Sequence, residues 1–510
     1  MKLFRNFAPL LSLCAFLLTG SGRVQAQAIP NWVTPIGDQD FNYNLSLAPA
    51  SGGGWMAAGG TAKKYAGASY WLARLDSNGI PLWQKFFDTT EGNAFFSAIA
   101  RTRQGYIIGG QGVDDYFDGW HDNDSLPEDA ALVVIDSDGG IQWARCYGGS
   151  RDDELSSVVQ TRDGGYVFVG TTNSSDGDIH DFKGDTNTNP ADVWIERVDS
   201  NGAVLWEKTF GGSDQDLGIG LTELTDGSLA VVANTNSRDG DISHSIGGYD
   251  MWVLHLDSMG KLLWEKSFGT SGSDETIGVL PAPSGRMIVV GHIAYSDTEN
   301  AAWVTKLASD GSIIWQNNLP EWAGYTPWSM AAASNGGILV AGQVSVSANA
   351  YENWVSLIDS NGHTRWRNLI NFQGPSGIFF KSPVMNALYS DSNGGFAVAG
   401  SGGYDAFYVE GFVARYPELQ DEAVSETSMP IDKVEAFPMP ATSTVRISVP
   451  ISFAMRHFSL YNAIGVSMLG FDVVAGSTGV SLDVSALPRG AYYIESISSA
   501  GVIYSPVLLQ

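Results

Sequence analysis

A tryptophan recurs along this chain at Trp32, Trp83, Trp143, Trp206, Trp264, Trp315 and Trp366, and successive positions differ by 51, 60, 63, 58, 51 and 51 residues. Self-similarity at a period on the order of 50 residues means stacked copies of one small supersecondary unit, each unable to bury its apolar face alone. Six of the seven tryptophans follow an Asp- and Gly-bearing turn, as in Asp76-Ser77-Asn78-Gly79, Asp199-Ser200-Asn201-Gly202 and Asp359-Ser360-Asn361-Gly362. The stretch before each turn alternates, for example Val193-Trp194-Ile195-Glu196-Arg197-Val198. Alternation, a Gly-bearing turn and a second apolar strand together predict a β-hairpin.

A second hairpin follows each tryptophan, with turns at Asp163-Gly164, Asp226-Gly227, Ser284-Gly285, Asn335-Gly336 and Asn393-Gly394. The strand that leaves it ends on glycine, as in Tyr166-Val167-Phe168-Val169-Gly170 and Ile338-Leu339-Val340-Ala341-Gly342. Each unit therefore supplies four antiparallel strands, the content of one propeller blade. The prediction is an all-β fold, a seven-bladed β-propeller over residues 27–416, with a small C-terminal β-sandwich. The Trp32 strand has no partner before it, and the strand at 412–416 has no tryptophan strand after it. Pairing the two closes the ring and removes an open edge. One large ring per blade is what blade-to-blade packing needs, so the tryptophans read as structural.

Composition agrees. Charged residues make up 16% of the chain against 60 glycines, 16 tryptophans and 19 tyrosines, which suits short strands and tight turns. The formal net charge of −27 argues against a nucleic-acid partner, because phosphate binding needs clustered Lys and Arg. It favours solubility and divalent cations.

The N-terminal residues 1–26 carry Lys2 and Arg5, an apolar run over 7–18, and a small-residue end at Val24-Gln25-Ala26. This is the plan of a secretory signal peptide cleaved after Ala26. Leu13 before Cys14 argues against lipidation, and losing Cys14 would leave Cys146 without an intramolecular partner. No stretch reaches the ~20 apolar residues of a membrane-spanning helix.

Calling the strands of a blade A to D, with D bearing the repeated tryptophan, the minimal A–B and C–D turns fall on one face. The B–C loops and D–A links fall on the other, and every long insertion belongs to that second set. The insertions are 111–129 (Asp114, Asp115, Asp118, Asp122, Asp124, Glu128), 173–192 and 236–250. Function usually resides on such loops. Two of them repeat Asp-Gly-Asp-Ile, at Asp176-Gly177-Asp178 and Asp239-Gly240-Asp241. Carboxylates alternating around a glycine turn suit a hard cation, so Asp176, Asp178, Asp239 and Asp241 are candidate Ca²⁺ ligands, while Asp and Gly also simply favour turns. An Asp ten residues past a tryptophan, at Asp153, Asp216 and Asp274, suggests backbone capping of the D–A link. His121, His180 and His244 also lie in the long loops, where a transition-metal site is a weaker alternative to solvation. No nucleophile–His–acid order, phosphate-cradling loop or singled-out carboxylate pair stands out, so no catalytic residue is assigned.

The Asp-x-x-Gly-x-x-x-Trp pattern resembles the tryptophan-docking repeat of quinoprotein-like propellers. The vicinal cysteine pair of their pyrroloquinoline-quinone dehydrogenases has no counterpart here, so the resemblance implies architecture, and no organic cofactor is expected. The pattern is also close to the Asp box of sialidases, with a longer Gly-to-Trp interval.

Residues 417–433 read as an acidic linker, Pro417-Glu418-Leu419-Gln420-Asp421-Glu422 onward. Residues 434–510 hold three basic and four acidic side chains, so the acidity lies elsewhere. This stretch carries Ala436-Phe437-Pro438-Met439-Pro440-Ala441, then Leu460-Tyr461-Asn462-Ala463-Ile464-Gly465, then Leu487-Pro488-Arg489-Gly490-Ala491-Tyr492-Tyr493. It resembles the type A C-terminal sorting domain of the Bacteroidota type IX secretion system, with Phe-Pro-Met-Pro where that family has Tyr-Pro-Asn-Pro. The resemblance marks Pro438, Pro440, Gly465, Leu487, Gly490 and Tyr492 as sorting-motif residues. It implies an address read by the type IX machinery at the outer membrane and removed there, leaving a secreted or cell-surface product.

The expected role is a non-catalytic binding or interaction protein with a glycan or protein ligand. An extracellular polysaccharide hydrolase or lyase remains open, since glycosidases need only two placed carboxylates. A structural surface protein is the third alternative.

Overall fold

The computed structural model describes residues 30–418 apart from 38–40, 63–67, 89–94, 113–128, 185–189, 297–298, 324, 348–349, 371–380, 392 and 406–407. Beyond these it describes 435–437, 444–448, 455–462, 467–472, 479–484, 487–488, 490–498 and 501–509. Residues 1–26, expected to be a signal peptide, and most of 417–433, expected to be a linker, lie outside the described residues. Two compact units emerge, Ala26–Leu419 and one that includes Gln420–Gln510.

The first unit contains seven four-stranded antiparallel sheets. Blades 1 to 6 span residues 41–88, 95–147, 153–210, 216–268, 275–323 and 325–370, each with its strands in simple sequence order. In blade 3 strands A to D are Asp153–Gln160, Tyr166–Thr172, Asp192–Val198 and Val204–Phe210; in blade 4 they are Asp216–Glu223, Leu229–Thr235, Asp250–Leu256 and Leu262–Phe268. Blade 7 takes Lys381–Ser390, Phe396–Asp405 and Tyr408–Tyr416 from the end of the unit and Trp32–Ile36 from its beginning. Trp32 pairs with Arg415 and Ile36 with Gly411, so the expected pairing of the two ends closes the ring. The A strands touch one another all the way round, blade 7 to blade 1 included, and form the innermost layer. No helix occurs among the described residues.

Two devices recur among the blades. The first is the repeated tryptophan on strand D, whose indole N–H reaches the C–D turn of the next blade. Trp143 Nε1 donates to Ser200 O at 3.1 Å, Trp264 Nε1 to Ser309 O at 2.8 Å and Trp315 Nε1 to Ser360 O at 3.1 Å. The turn must present a glycine there: Gly79 has φ +80°, and a Cβ on it would lie 2.4 Å from the Trp32 ring. Trp32 thus docks blade 7 onto blade 1 just as Trp315 docks blade 5 onto Gly362 of blade 6. The Asp that opens the turn fixes it, as Asp199 Oδ1 accepts from Asn201 N at 2.8 Å and Ala203 N at 2.9 Å.

The second device, in blades 1, 3, 5, 6 and 7, is a glycine within strand B, which runs on past it; blade 4 has Ala233 at this place. Gly59, Gly170, Gly291 and Gly342 stand opposite Trp71, Trp194, Trp303 and Trp354 of strand C, and Gly400 opposite Phe412. Strand A carries a bulge beside this glycine, between Leu155 and Ser157 in blade 3 and between Pro327 and Ser329 in blade 6. The bulge brings backbone so near that a Cβ on Gly170 would sit 1.7 Å from Glu154 O. The C-strand tryptophans are buried between blades.

In the second unit, Glu435–Phe437, Thr444–Ser448 and Gly479–Asp483 form a three-stranded antiparallel sheet. Ser467–Asp472, Met455–Asn462, Gly490–Ser498 and Gly501–Leu509, in that order, form a four-stranded one.

Candidate functional site

The long loops all leave the end of strand B or strand D, so in blades 3 and 4 they lie beside the D–A link arriving from the previous blade. Both loops are tied to that link by the same set of bonds. In blade 3, Asp178 N donates to Gly148 O at 2.8 Å, Ser150 N to Asp176 Oδ1 at 2.8 Å and Arg151 N to Ser174 Oγ at 2.9 Å. In blade 4, Asp241 N donates to Gly211 O at 2.9 Å, Ser213 N to Asp239 Oδ1 at 2.8 Å and Asp214 N to Ser237 Oγ at 2.9 Å. Gly177 and Gly240 turn at φ +65° and +67°, and a Cβ on either would stand 2.3 or 2.2 Å from the link carbonyl of Gly148 or Gly211. The Asp-Gly-Asp repeat is therefore a clasp: the first Asp accepts from the link, the glycine lets the backbones meet, and the second donates its N–H.

The Asp ten residues past the tryptophan completes the clasp from below. Asp153 Oδ2 accepts from Gly149 N at 2.7 Å and from Ser174 Oγ at 2.8 Å. Asp216 Oδ2 accepts from Gly212 N and Ser237 Oγ, both at 2.8 Å. These carboxyls cap the link, as the spacing suggested.

Each of them faces a second buried aspartate, at the start of the preceding blade's strand C. Asp129 and Asp153 flank Gly148, Asp192 and Asp216 flank Gly211, and Asp250 and Asp274 flank Gly269. In the middle pair, Asp192 Oδ1 lies 2.4 Å and Asp216 Oδ2 2.7 Å from the point that a Gly211 Cβ would occupy. Burial pushes Asp192 up to about 7, with the nearby Asp216 charge adding to it, and burial pushes Asp216 up to about 6. Asp153 and Asp274 are raised by burial too. The strand-C partners were visible in the sequence only as the last residue of each long loop, and nothing local showed that they meet the D–A link.

Among the described residues no group of three or more His, Cys, Asp or Glu is gathered as a ready metal cluster. His180 turns to its own loop, with Nδ1 2.9 Å from Asp178 O and 3.7 Å from Glu207 Oε2, and His244 is exposed. His121 and the acidic residues Asp114 to Glu128 lie outside the described residues. So do Pro438, Pro440 and Gly465 of the sorting motifs. Leu487 N donates to Val484 O at 3.1 Å, Gly490 pairs with Leu509, and Tyr492 stands between Asn462 and Val507 in the four-stranded sheet.

Residues 435–508 match the family model described as a secretion system C-terminal sorting domain. No curated protein sequence matches the chain. Among solved structures, a protein of unknown function from Dyadobacter fermentans is 10% identical, with 76% of this chain and 99% of that one covered and a TM-score of 0.40. The β-propeller domain of the Trilobed protease from Pyrococcus furiosus is 8% identical, covering 74% and 96%, with a TM-score of 0.41. Sqt1 from Chaetomium thermophilum is 12% identical, covering 94% and 99%, with a TM-score of 0.40. Likenesses this distant say nothing about a ligand or an activity. Among the described residues no helix is long and apolar enough to cross a membrane. The family match at the C-terminus and the closed ring of blades together make this chain a type IX secretion substrate with propeller repeats, exported to the cell surface or beyond it.

Proposed function

We propose that the exported propeller is a non-catalytic binding protein that engages a glycan or protein ligand through the loop-bearing side of blades 2 to 4. One observation carries this reading: the loops of blades 3 and 4 are held by the same clasp, bond for bond. Loops fixed at their base form a pre-ordered surface, and pre-ordering removes much of the entropy cost of association. The described acids of the clasps are engaged in holding backbone, which supports a scaffold role for them over acid–base chemistry. The ligand would then meet the loop residues beyond the clasp, where the fold tolerates variation.

The test is a glycan and protein array probed with the secreted protein, beside a variant in which 181–190 is replaced by a short Gly-Asn turn. The reading expects a ligand class that binds the native protein and is lost in the variant, with an unchanged far-ultraviolet spectrum. Turnover of a polysaccharide, or binding that survives the loop replacement, counts against it.

A further inference from the structure

At the junction of blades 3 and 4 Asp216 caps the link, but nothing in the clasp accounts for Asp192, the buried carboxyl that faces it. Asp192 is buried at the first position of strand C, and its Oδ2 accepts from Lys183 N at 2.5 Å and Gly184 N at 3.2 Å. Its other oxygen, Oδ1, is buried and has no hydrogen-bond partner. That oxygen lies 2.4 Å, and Asp216 Oδ2 2.7 Å, from the point a Gly211 Cβ would occupy. Asp241 reaches the same glycine, its Oδ2 accepting from Gly211 N at 3.2 Å. Lys183, whose backbone N–H donates to Asp192, directs its Nζ to Asp181 Oδ2 at 2.6 Å. Two carboxylates therefore meet over a residue without a side chain, where a Cβ would lie against both, and a third is bonded to that residue's N–H at the edge. Burying like charges this way is costly unless something positive stands between them.

We propose that the cradle over Gly211 is a binding site for a hard divalent cation, Ca²⁺ in particular, held between Asp192 Oδ1 and the Asp216 carboxylate with Asp241 at its edge. Ca²⁺ accepts six to eight oxygen ligands in irregular geometry, whereas Mg²⁺ demands a near-ideal octahedron. A cradle made of strand side chains from two blades and one from a long loop suits the former. This places the cation below the loop, at the blade junction. Asp239, whose Oδ1 accepts from Ser213 N, stays with the backbone clasp. The same aspartate–glycine–aspartate arrangement recurs at Gly148 and Gly269. A cation there would join the last strands of one blade to the first strand of the next.

The experiment is equilibrium dialysis of the full secreted chain against about 2 mM CaCl₂, a concentration suited to weak extracellular sites. Mg²⁺ at equal ionic strength serves as control. Asp192→Asn and Asp216→Asn should each lower the number of ions bound by one, and Asp239→Asn should leave it unchanged. Where a variant does not fold, terbium luminescence lifetimes of the native protein in H₂O and D₂O decide. A cradle ion keeps only a few waters, and an ion on surface carboxylates keeps most of its shell. Ca²⁺ binding untouched by both variants, no binding at several millimolar, or a fully hydrated terbium ion each overturn the proposal.

Discussion

Glu196 offers the sharpest test of how the blades bury one another. It lies on strand C of blade 3, between Trp194 and Val198 on the face that packs with Leu132 and Tyr147 of blade 2. The residue is fully buried, and neither carboxyl oxygen has a hydrogen-bond partner. Burial, with the Asp178 and Glu207 charges adding to it, raises its pKa from 4.5 to about 9. The folded protein therefore keeps this carboxyl protonated at neutral pH, whereas the unfolded chain ionises it. For an acid raised in this way, the native state is at full strength below 4.5 and loses stability as the pH climbs to 9. The slope is about 1.4 kcal/mol per pH unit, so the loss is about 3 kcal/mol at pH 7 and nearer 5 at pH 8. Glu196→Gln keeps the shape and removes the ionisation. Thermal midpoints of native and variant protein should nearly coincide at pH 5, and the variant should rise progressively above the native protein from pH 6 to 8. A difference that stays constant with pH, or a variant less stable at pH 8, would refute the burial of an isolated acid between blades 2 and 3.

The other predictions concern the blade, the clasp and the tail. Gly170→Ala would place a Cβ 1.7 Å from Glu154 O, so it should cost several kcal/mol, on the scale of severe overpacking, and soluble yield with thermal midpoint would show it. Ser174→Ala removes a donor to Asp153 and an acceptor for Arg151 N; the expected cost is about 1–3 kcal/mol, with faster proteolysis within 173–191 at an undiminished far-ultraviolet spectrum. Deleting 434–510, which contains the sorting domain matched at 435–508, should hold the propeller in the periplasm, so cell fractionation that finds normal extracellular levels would contradict the address role.

The sequence alone determined the repeat, the blade number, the closure of the ring and the sorting tail. The first three depend on local signals, namely a turn that needs glycine, a strand that alternates, and a tryptophan at a fixed distance from both, whereas the tail was legible through its resemblance to a known sorting domain. The Asp-Gly-Asp repeat was equally plain, but its direction was not. From their loops Asp176 and Asp239 each accept from the N–H of a serine, Ser150 or Ser213, on the neighbouring link. Only tertiary structure decided this, because the link lies 26 residues away in the chain. The same holds for Asp192 and Asp216, which enter from different blades and meet over Gly211. Glu196 shows the physical reason most clearly. In Val193-Trp194-Ile195-Glu196-Arg197-Val198 the period of two says which residues share a face of the strand. A sheet with one face in water would leave such a glutamate exposed. In a ring of blades each sheet has a neighbour on both faces, so the closure of the propeller, not the alternation, sets what is buried.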